Sequence, residues 1–315
     1  MFVLLLYRGS IQDVFRFDSG FCLLQMGWLY SRMLGRDVHK ILCYRFKLPP
    51  GIYLYGAGKI VLPGADYLYQ RSLMANQEQL KLIKEGVQIW NAWRKMNPSI
   101  RVDLSGGNFS SMELSGVDLD GANLQDVNFN KADLSGAMLS GANLTESSLM
   151  EANLTGANLK NANVSEADLL KAILVRANLE RAHLAKTDLT GADVTEANLT
   201  DANLHLTNLQ SAKLIRANLE GSKLREANMV QADLAGANLA STDLAQSNLR
   251  QANVCGANVE KASMIQVNLQ EADLQAVQNI TIIQLSKARS LLNARLDPPI
   301  SEQVAKEYPH LFVQD

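Results

Sequence analysis

The chain has 315 residues, a formal net charge of −2 and three cysteines. The cysteines lie at scattered positions, which excludes a disulfide framework and gives no metal-ligand spacing. The charge is unevenly divided, because residues 1–73 carry +5, residues 74–100 carry +2 and residues 101–275 carry −9. An acidic region of this size argues against nucleic-acid binding, since attraction to phosphate dominates such affinity.

Residues 1–73 differ in composition from everything that follows them. They hold seven of the eight tyrosines and show no sustained periodicity. The apolar run at residues 1–7 is too short to span a bilayer. It also lacks the basic leader and the small-residue cleavage site of a signal peptide. We predict a non-native or disordered leader before a native start at Met74, no membrane span and a cytoplasmic protein. A small accessory segment is the alternative.

Residues 74–100 are predicted to cap the region that follows. Within them, residues 76–96 carry apolar side chains at helical spacing, namely Leu80, Ile83, Val87 and Trp90. Asn97, followed by a proline, provides a stop for this helix. We expect one helix to run across the end of the next region. Trp90 and Trp93 are interpreted as covering that end, not as binding a ligand.

From residue 102 to residue 274 the sequence repeats every five residues, thirty-five times without interruption. The centre of each unit is apolar and is Leu in twenty-seven units, and the residue two positions earlier is Ala in twenty-three. Asn or Asp lies between them in twenty-seven units. A short fixed period indicates a solenoid, because one unit buries its apolar side only against stacked neighbours. A helix is excluded, since Leu at every fifth position leaves no continuous apolar face.

Each unit requires a short extended piece followed by a turn. In an extended stretch the central residue and the small residue share one side, so the Asn or Asp between them points outward. The second residue after the centre is Gly in ten of the thirty-five units. Glycine suits a turn that needs a positive φ.

Runs such as GANLQDVNF, EANLTGANL and QADLAGANL resemble the pentapeptide-repeat family over about 174 residues. The resemblance implies an all-β solenoid, a right-handed quadrilateral β-helix with one pentapeptide per side and twenty residues per coil. Nearly nine coils would extend about 42 Å at the spacing of hydrogen-bonded strands. At the second position after each centre, charged residues twenty apart form six opposite and two like pairs, and those fifteen apart form five opposite and two like pairs. The charges therefore leave the coil length open.

On a coil of twenty residues the centres form four buried columns. The predicted structural core includes Leu104 and Leu189, and it stacks Phe109 directly on Phe129. A second set of residues falls on one corner of adjacent coils, and this acidic column is the candidate partner surface: Asp126, Glu146 and Glu166.

Residues 276–315 are predicted to form a C-terminal cap and tail. We expect a short helix around residues 281–290, a stacking strand near residues 291–296, and a last short helix capped by Ser301. Short α-helical caps thus close both ends of the β-helix. Both flanks resemble those of bacterial, especially cyanobacterial, members of the family.

The sequence predicts no enzyme, because no nucleophile–base pair, glycine-rich phosphate loop or metal-ligand set occurs in it. No cofactor is expected. His183 and His205 fall on the same side of adjacent coils, but about 8 Å apart by strand geometry, so no metal is predicted there either.

A non-catalytic structural or protein-interaction module therefore remains, with an unidentified protein partner and an open oligomeric state. The resemblance brings a second hypothesis, a DNA mimic that binds DNA gyrase or another type II topoisomerase. Residues 101–170, which carry −7, favour it, whereas the charged, proline-containing tail does not match the apolar C-terminal pairing helix of those proteins. A stress- or regulation-related scaffold is a third hypothesis.

Overall fold

The computed structural model describes residues 53–55, 59–61 and 77–313. The chain divides into two compact units, Met1–Leu73 and Met74–Asp315. In the first unit, strands β1 (Tyr53–Tyr55) and β2 (Lys59–Val61) pair antiparallel. The predicted leader, with the proposed native start after it, lies almost entirely outside the described residues and stays a prediction.

The repeat region forms a coil of twenty residues. The outward residue of each unit makes a parallel bridge with the outward residue twenty positions later, beginning with Asp103 and Asn123. The amide of Asn123 donates to the carbonyl of Val102 at 2.9 Å, and the amide of Leu104 donates to the carbonyl of Asn123 at 2.9 Å. Because each side holds one pentapeptide, the coil has four sides. Neighbouring coils therefore satisfy the backbone groups that the interior would otherwise leave unpaired.

The centres and the small residues fill the interior of the coils. Leu104, Phe109 and Phe129 are fully buried, and Leu189 is 2% exposed. The rings of Phe109 and Phe129 stack with their centroids 5.4 Å apart. Where Thr replaces the small Ala, its hydroxyl binds a backbone carbonyl of the preceding coil, as Thr187 does to Val164 at 2.9 Å. The core is therefore continuous along the repeat region.

Outward Asn and Asp side chains make two kinds of hydrogen bond. Within a unit, the side-chain oxygen accepts the amide two residues later, as Asp188 accepts from Thr190 at 2.9 Å. Between coils, an Asn amide donates to the side chain twenty residues earlier, as Asn153 does to Asp133 at 2.9 Å. The first bond is an Asx-turn, which favours the following corner. The second couples adjacent coils along the surface.

Every corner of the repeat region has a left-handed residue. The second residue after each centre has φ between 54° and 69°, and twenty-five of these thirty-five residues are not glycine. The residue after the corner donates its amide to the preceding centre, as Gly107 does to Leu104 at 3.0 Å, so the corner occupies the third position of a β-turn. The ladders on both sides of each corner hold this conformation in place.

Replacing the corner residue Gly156 with Ala is expected to lower the free energy of unfolding by about 1–2 kcal/mol. The cost arises from backbone strain at φ 66° and not from a clash, because no atom lies within 4 Å of the added Cβ. Chemical denaturation checks this value. Ser211→Ala, at a corner with φ 55°, is the control and should change stability by less than about 0.5 kcal/mol. Equal effects of the two substitutions would contradict the strain argument.

Two helices, not the single predicted one, lie at the N-terminal end of the coils. Helix α1 spans Gln77–Ile83 and helix α2 spans Val87–Met96. The predicted helix over residues 76–96 is wrong in its middle, because Gly86 has φ 118°. Only glycine adopts that conformation without strain, and it breaks the helix. The break lets both helices contact the first coil.

The C-terminal end differs from the expectation in two details. Helix α3 (Ile282–Leu285) is shorter than the helix predicted around residues 281–290, because Ser290 instead continues the ladder with Asn268; Arg295, in the predicted stacking stretch, bridges Asp273. Helix α4 (Ile300–Glu307) begins before Ser301, so Ser301 lies inside the helix and is not its cap. A 3₁₀-helix follows at Pro309–Phe312. In the described part of the chain, no helix is long and apolar enough to cross a membrane.

Candidate functional site

The acidic corner consists of Asp126, Glu146 and Glu166, which are exposed on successive coils. All three have a left-handed backbone, with φ of 57°, 60° and 60°. The coil spacing places neighbouring members about 4.8 Å apart. The next residue in this column is Lys186, whose Nζ lies 3.0 Å from Oε1 of Glu166. Among the described residues, Asp126 and Glu146 have no ion pair, so the uncompensated charge lies at the N-terminal part of the corner.

At several other places on the coils, a basic residue pairs with an acidic residue twenty positions away. Arg176 Nε lies 2.7 Å from Glu196 Oε2, and Arg216 approaches the other oxygen of Glu196 at 3.5 Å. The hydrogen bond from Arg176 holds the pKa of Glu196 below its usual value. Lys160 pairs with Glu180 at 2.9 Å and lowers the pKa of that carboxyl in the same way. Among the acidic residues at the corners of the described coils, Asp126 and Glu146 are the two that have no ion pair.

The two histidines considered as metal ligands have separate surroundings. His205 Nδ1 lies 2.9 Å from the carbonyl oxygen of Arg225, and His183 is one of the bridged outward residues. Within the described residues, no group of three or more His, Cys, Asp or Glu side chains is placed to hold a metal ion.

Trp90 and Trp93 lie at the N-terminal end of the coils. Trp90 is fully buried and its Nε1 donates to the carbonyl of Asp118 at 2.7 Å. The two indole rings lie 5.2 Å apart. Trp93 is partly buried against the core. Helix α2 therefore packs Trp90 and Trp93 against each other at the first coil.

The side chains of Gln79 and Asn91 make the hydrogen bonds that the backbone of a preceding coil would otherwise make with the first coil. The sequence analysis did not predict these contacts. Gln79 accepts from the amide of Asp103 at 2.8 Å and donates to the carbonyl of Arg101 at 3.2 Å. Asn91 accepts from the amide of Asp118 at 2.9 Å and donates to the carbonyl of Gly116 at 2.9 Å. Gln79 and Ile83 are four residues apart and therefore lie on one face of a helix. This spacing could have indicated that Gln79 faces the coils.

Gly107 is a further position whose role was missed. A Cβ there would lie 2.7 Å from the Phe109 ring, 2.8 Å from the Leu104 carbonyl and 2.9 Å from Leu80 of α1. Only glycine therefore allows α1 to approach this closely. The signal was present in the sequence, because Gly107 is the one glycine among the thirty-five small positions.

The solved structures that this chain matches include several pentapeptide repeat proteins. HetL, a pentapeptide repeat protein involved in heterocyst differentiation regulation in the cyanobacterium Nostoc sp. strain PCC 7120, is 28% identical over 65% of this chain and 92% of its own, with a TM-score of 0.35. QnrB1, a plasmid-mediated fluoroquinolone resistance protein, is 17% identical over 66% of this chain and 96% of its own, with a TM-score of 0.44.

A pentapeptide repeat protein from the thylakoid lumen of Arabidopsis thaliana is 38% identical over 31% of this chain and 69% of its own, with a TM-score of 0.31. A comparison with curated proteins gave no significant match. The family model for pentapeptide repeats matches eight copies between residues 100 and 277, which is more than half of the sequence. With its coil of twenty residues and four sides, the chain belongs to the pentapeptide-repeat family, whose members form right-handed quadrilateral β-helices.

Proposed function

We propose that this protein is a non-catalytic interaction module whose coils hold side chains in rigid columns for a protein partner. The acidic corner is the observation that carries the proposal. Like charges held on adjacent strands destabilise the free protein. Acidic residues at other corners, such as Glu151 and Glu196, pair with a basic residue one coil away, but among the described residues Asp126 and Glu146 have no such partner. A partner that supplies positive charge would provide the missing compensation.

The geometry of the corner favours a partner with regularly spaced Lys or Arg side chains. The backbone at each corner is held by ladders on both sides, so little backbone ordering is required on binding. Attraction between exposed charges weakens as salt screens it. The proposed association should therefore weaken with increasing ionic strength.

Neutralising the acidic corner is expected to weaken partner binding about tenfold at low salt, since three exposed ion pairs together contribute about 1.5 kcal/mol. The variant combines Asp126→Asn, Glu146→Gln and Glu166→Gln. Its fold should be retained, because all three side chains are exposed. Affinity for a partner purified from the native cell is measured by calorimetry over a range of salt concentrations.

The matched control changes the net charge by the same amount at residues that already have ion pairs: Glu151→Gln, Glu180→Gln and Glu196→Gln. This control should bind the partner as the parent protein does. Equal loss of affinity in both triple variants, or an affinity independent of salt, would contradict the acidic corner as the partner surface.

The DNA-mimic hypothesis receives less support from the charges. A mimic needs uncompensated negative charge over an extended surface, whereas opposite charges recur along the columns beyond residue 170, as in the Arg176–Glu196 pair. Under the general proposal, added protein does not inhibit supercoiling by DNA gyrase, and dose-dependent inhibition would favour the mimic instead.

A stress- or regulation-related scaffold would use the same acidic corner. The free thiol of Cys255 supports a reducing compartment, which agrees with a cytoplasmic location.

We also propose that α1 and α2 cap the coils. An uncovered ladder end presents unpaired backbone to other chains. The side chains of Gln79, Trp90 and Asn91 take up backbone groups of that end on two of its four sides. This arrangement supports a cap that limits end-to-end association and leaves the side surfaces for the partner.

A further inference from the structure

One coil side departs from the outward pattern of the repeat. On the side centred on Leu174, the outward residues are the exposed Ile173 and the half-buried Val175, and the half-buried Leu170 lies just before the corner at Lys171; these three residues form the apolar patch. Ile173 is 41% exposed and occupies a position where most units have Asn or Asp. It forms bridges with Asn153 and Asp193, so its side chain lies within the outward ladder. This exposure is a property of the folded coil and not of a frayed end.

Folding gives no reason for an apolar residue at position 173. An Asn or Asp there would accept the amide of residue 175, as Asp188 does for Thr190 at 2.9 Å. It would also join the ladder that links Asn153 to Asp133 at 2.9 Å. Isoleucine makes neither bond. In the described part of the chain, the amide of Val175 has no other hydrogen-bond partner.

Basic residues flank the apolar patch on both corners. Lys171 has φ 56° and is exposed, and no described residue forms an ion pair with it. Gly191 lies next to Lys171 in the same column, because a Cβ on Gly191 would be 3.5 Å from Lys171 Cγ. Arg176 occupies the other corner and pairs with Glu196 at 2.7 Å. The glycine corner leaves Lys171 open to a ligand.

We propose that the apolar patch binds an extended segment of a partner protein in which apolar residues alternate with Asp or Glu. Exposed apolar surface rimmed by polar groups marks interaction sites. The apolar side chains would cover Ile173 and Val175, and a carboxylate would pair with Lys171. This site is separate from the acidic corner and selects the opposite charge, so it stands independently of the function proposed above. A second copy of this chain is the competing occupant.

The probe is a short fluorescein-labelled peptide in which Asp alternates with Leu or Ile. Fluorescence polarisation against the full chain should give saturable binding, about tenfold tighter than for the same peptide with Lys at every Asp. Ile173→Asn should weaken binding about tenfold while leaving thermal unfolding unchanged or raised, because the ladder gains an Asn. Lys171→Glu should reverse the preference between the two peptides.

The control variant is Ile265→Asn, which removes another exposed isoleucine, 50% exposed, far along the chain. It should bind the acidic peptide as the parent protein does. The proposal is overturned if the parent protein does not bind the peptide, or if Ile173→Asn and Ile265→Asn bind it equally. Self-association that Ile173→Asn abolishes, without peptide binding, would identify a second copy as the occupant and would also overturn it.

Discussion

Leu189→Ala is expected to lower the free energy of unfolding by about 2–5 kcal/mol. Leu189 is 2% exposed and lies at the centre of a unit near the middle of the repeat region. The loss combines the missing apolar burial with the cavity that remains, because the ladders on either side prevent the coil from collapsing. In a solenoid each repeat contacts only its neighbours, so the defect should divide the unfolding into less cooperative steps. Urea denaturation followed by circular dichroism measures both effects.

Leu189→Lys should have a larger effect, since an unpaired charge would lie in the interior. Gln210→Ala, at an exposed position one coil away, is the control and should change stability by less than about 0.5 kcal/mol. A small effect of Leu189→Ala, similar to that of the control, would mean that the columns of centres do not stabilise the coil.

Trp90→Ala is expected to remove about 3–5 kcal/mol from the docking of α1 and α2 on the first coil. Trp90 is fully buried, and its Nε1 also donates to the carbonyl of Asp118 at 2.7 Å. Once the helices detach, the amides of Asp103 and Asp118 lose Gln79 and Asn91 as acceptors. Hydrogen exchange at these two amides should therefore accelerate, whereas amides in the central coils should keep their protection.

Met96→Ala provides the control on the same helix, because Met96 is 79% exposed. It should leave exchange at Asp103 and Asp118 unchanged. Trp90→Phe retains most of the burial without the indole donor, so it separates the hydrogen bond from the packing. Unchanged exchange in Trp90→Ala would contradict the capping proposal, as would a variant that remains monomeric after both helices are deleted.

The repeat region could be predicted residue by residue, because one local requirement recurs at every unit. The period of five distinguishes inward from outward positions, and Leu104 and Leu189 are buried accordingly. The coil length could not be derived in the same way, because charges at two spacings were about equally balanced. It depends on which residues pair across coils, and that is visible only in bridges such as Asp103–Asn123.

The ends could be predicted only in outline, because tertiary pairing there overrides local preference. The sequence analysis predicted that residues 286–290 are helical, but Ser290 instead joins the ladder with Asn268. The spacing of the acidic corner followed from the coil, and the pairing of Glu166 with Lys186 follows from the same spacing. The outward position of Ile173 followed from the period of five, whereas the contacts of Gln79 could not be read from the sequence, because they depend on which backbone groups lie across from its side chain.

Because every unit ends in its own left-handed corner, the position of a residue on the surface shifts only in steps of one whole pentapeptide. Inserting one complete pentapeptide into the repeat region would keep every centre inside and every outward residue outside, since each unit brings its own turn. All residues after the insertion would nevertheless rotate by a quarter turn relative to those before it. An insertion between Glu166 and Arg181 would move Lys186 to the next corner and bring Arg181 to the position twenty residues after Glu166. Duplication of a single unit therefore changes which surface residues are neighbours on adjacent coils, while the interior keeps the same kinds of side chains.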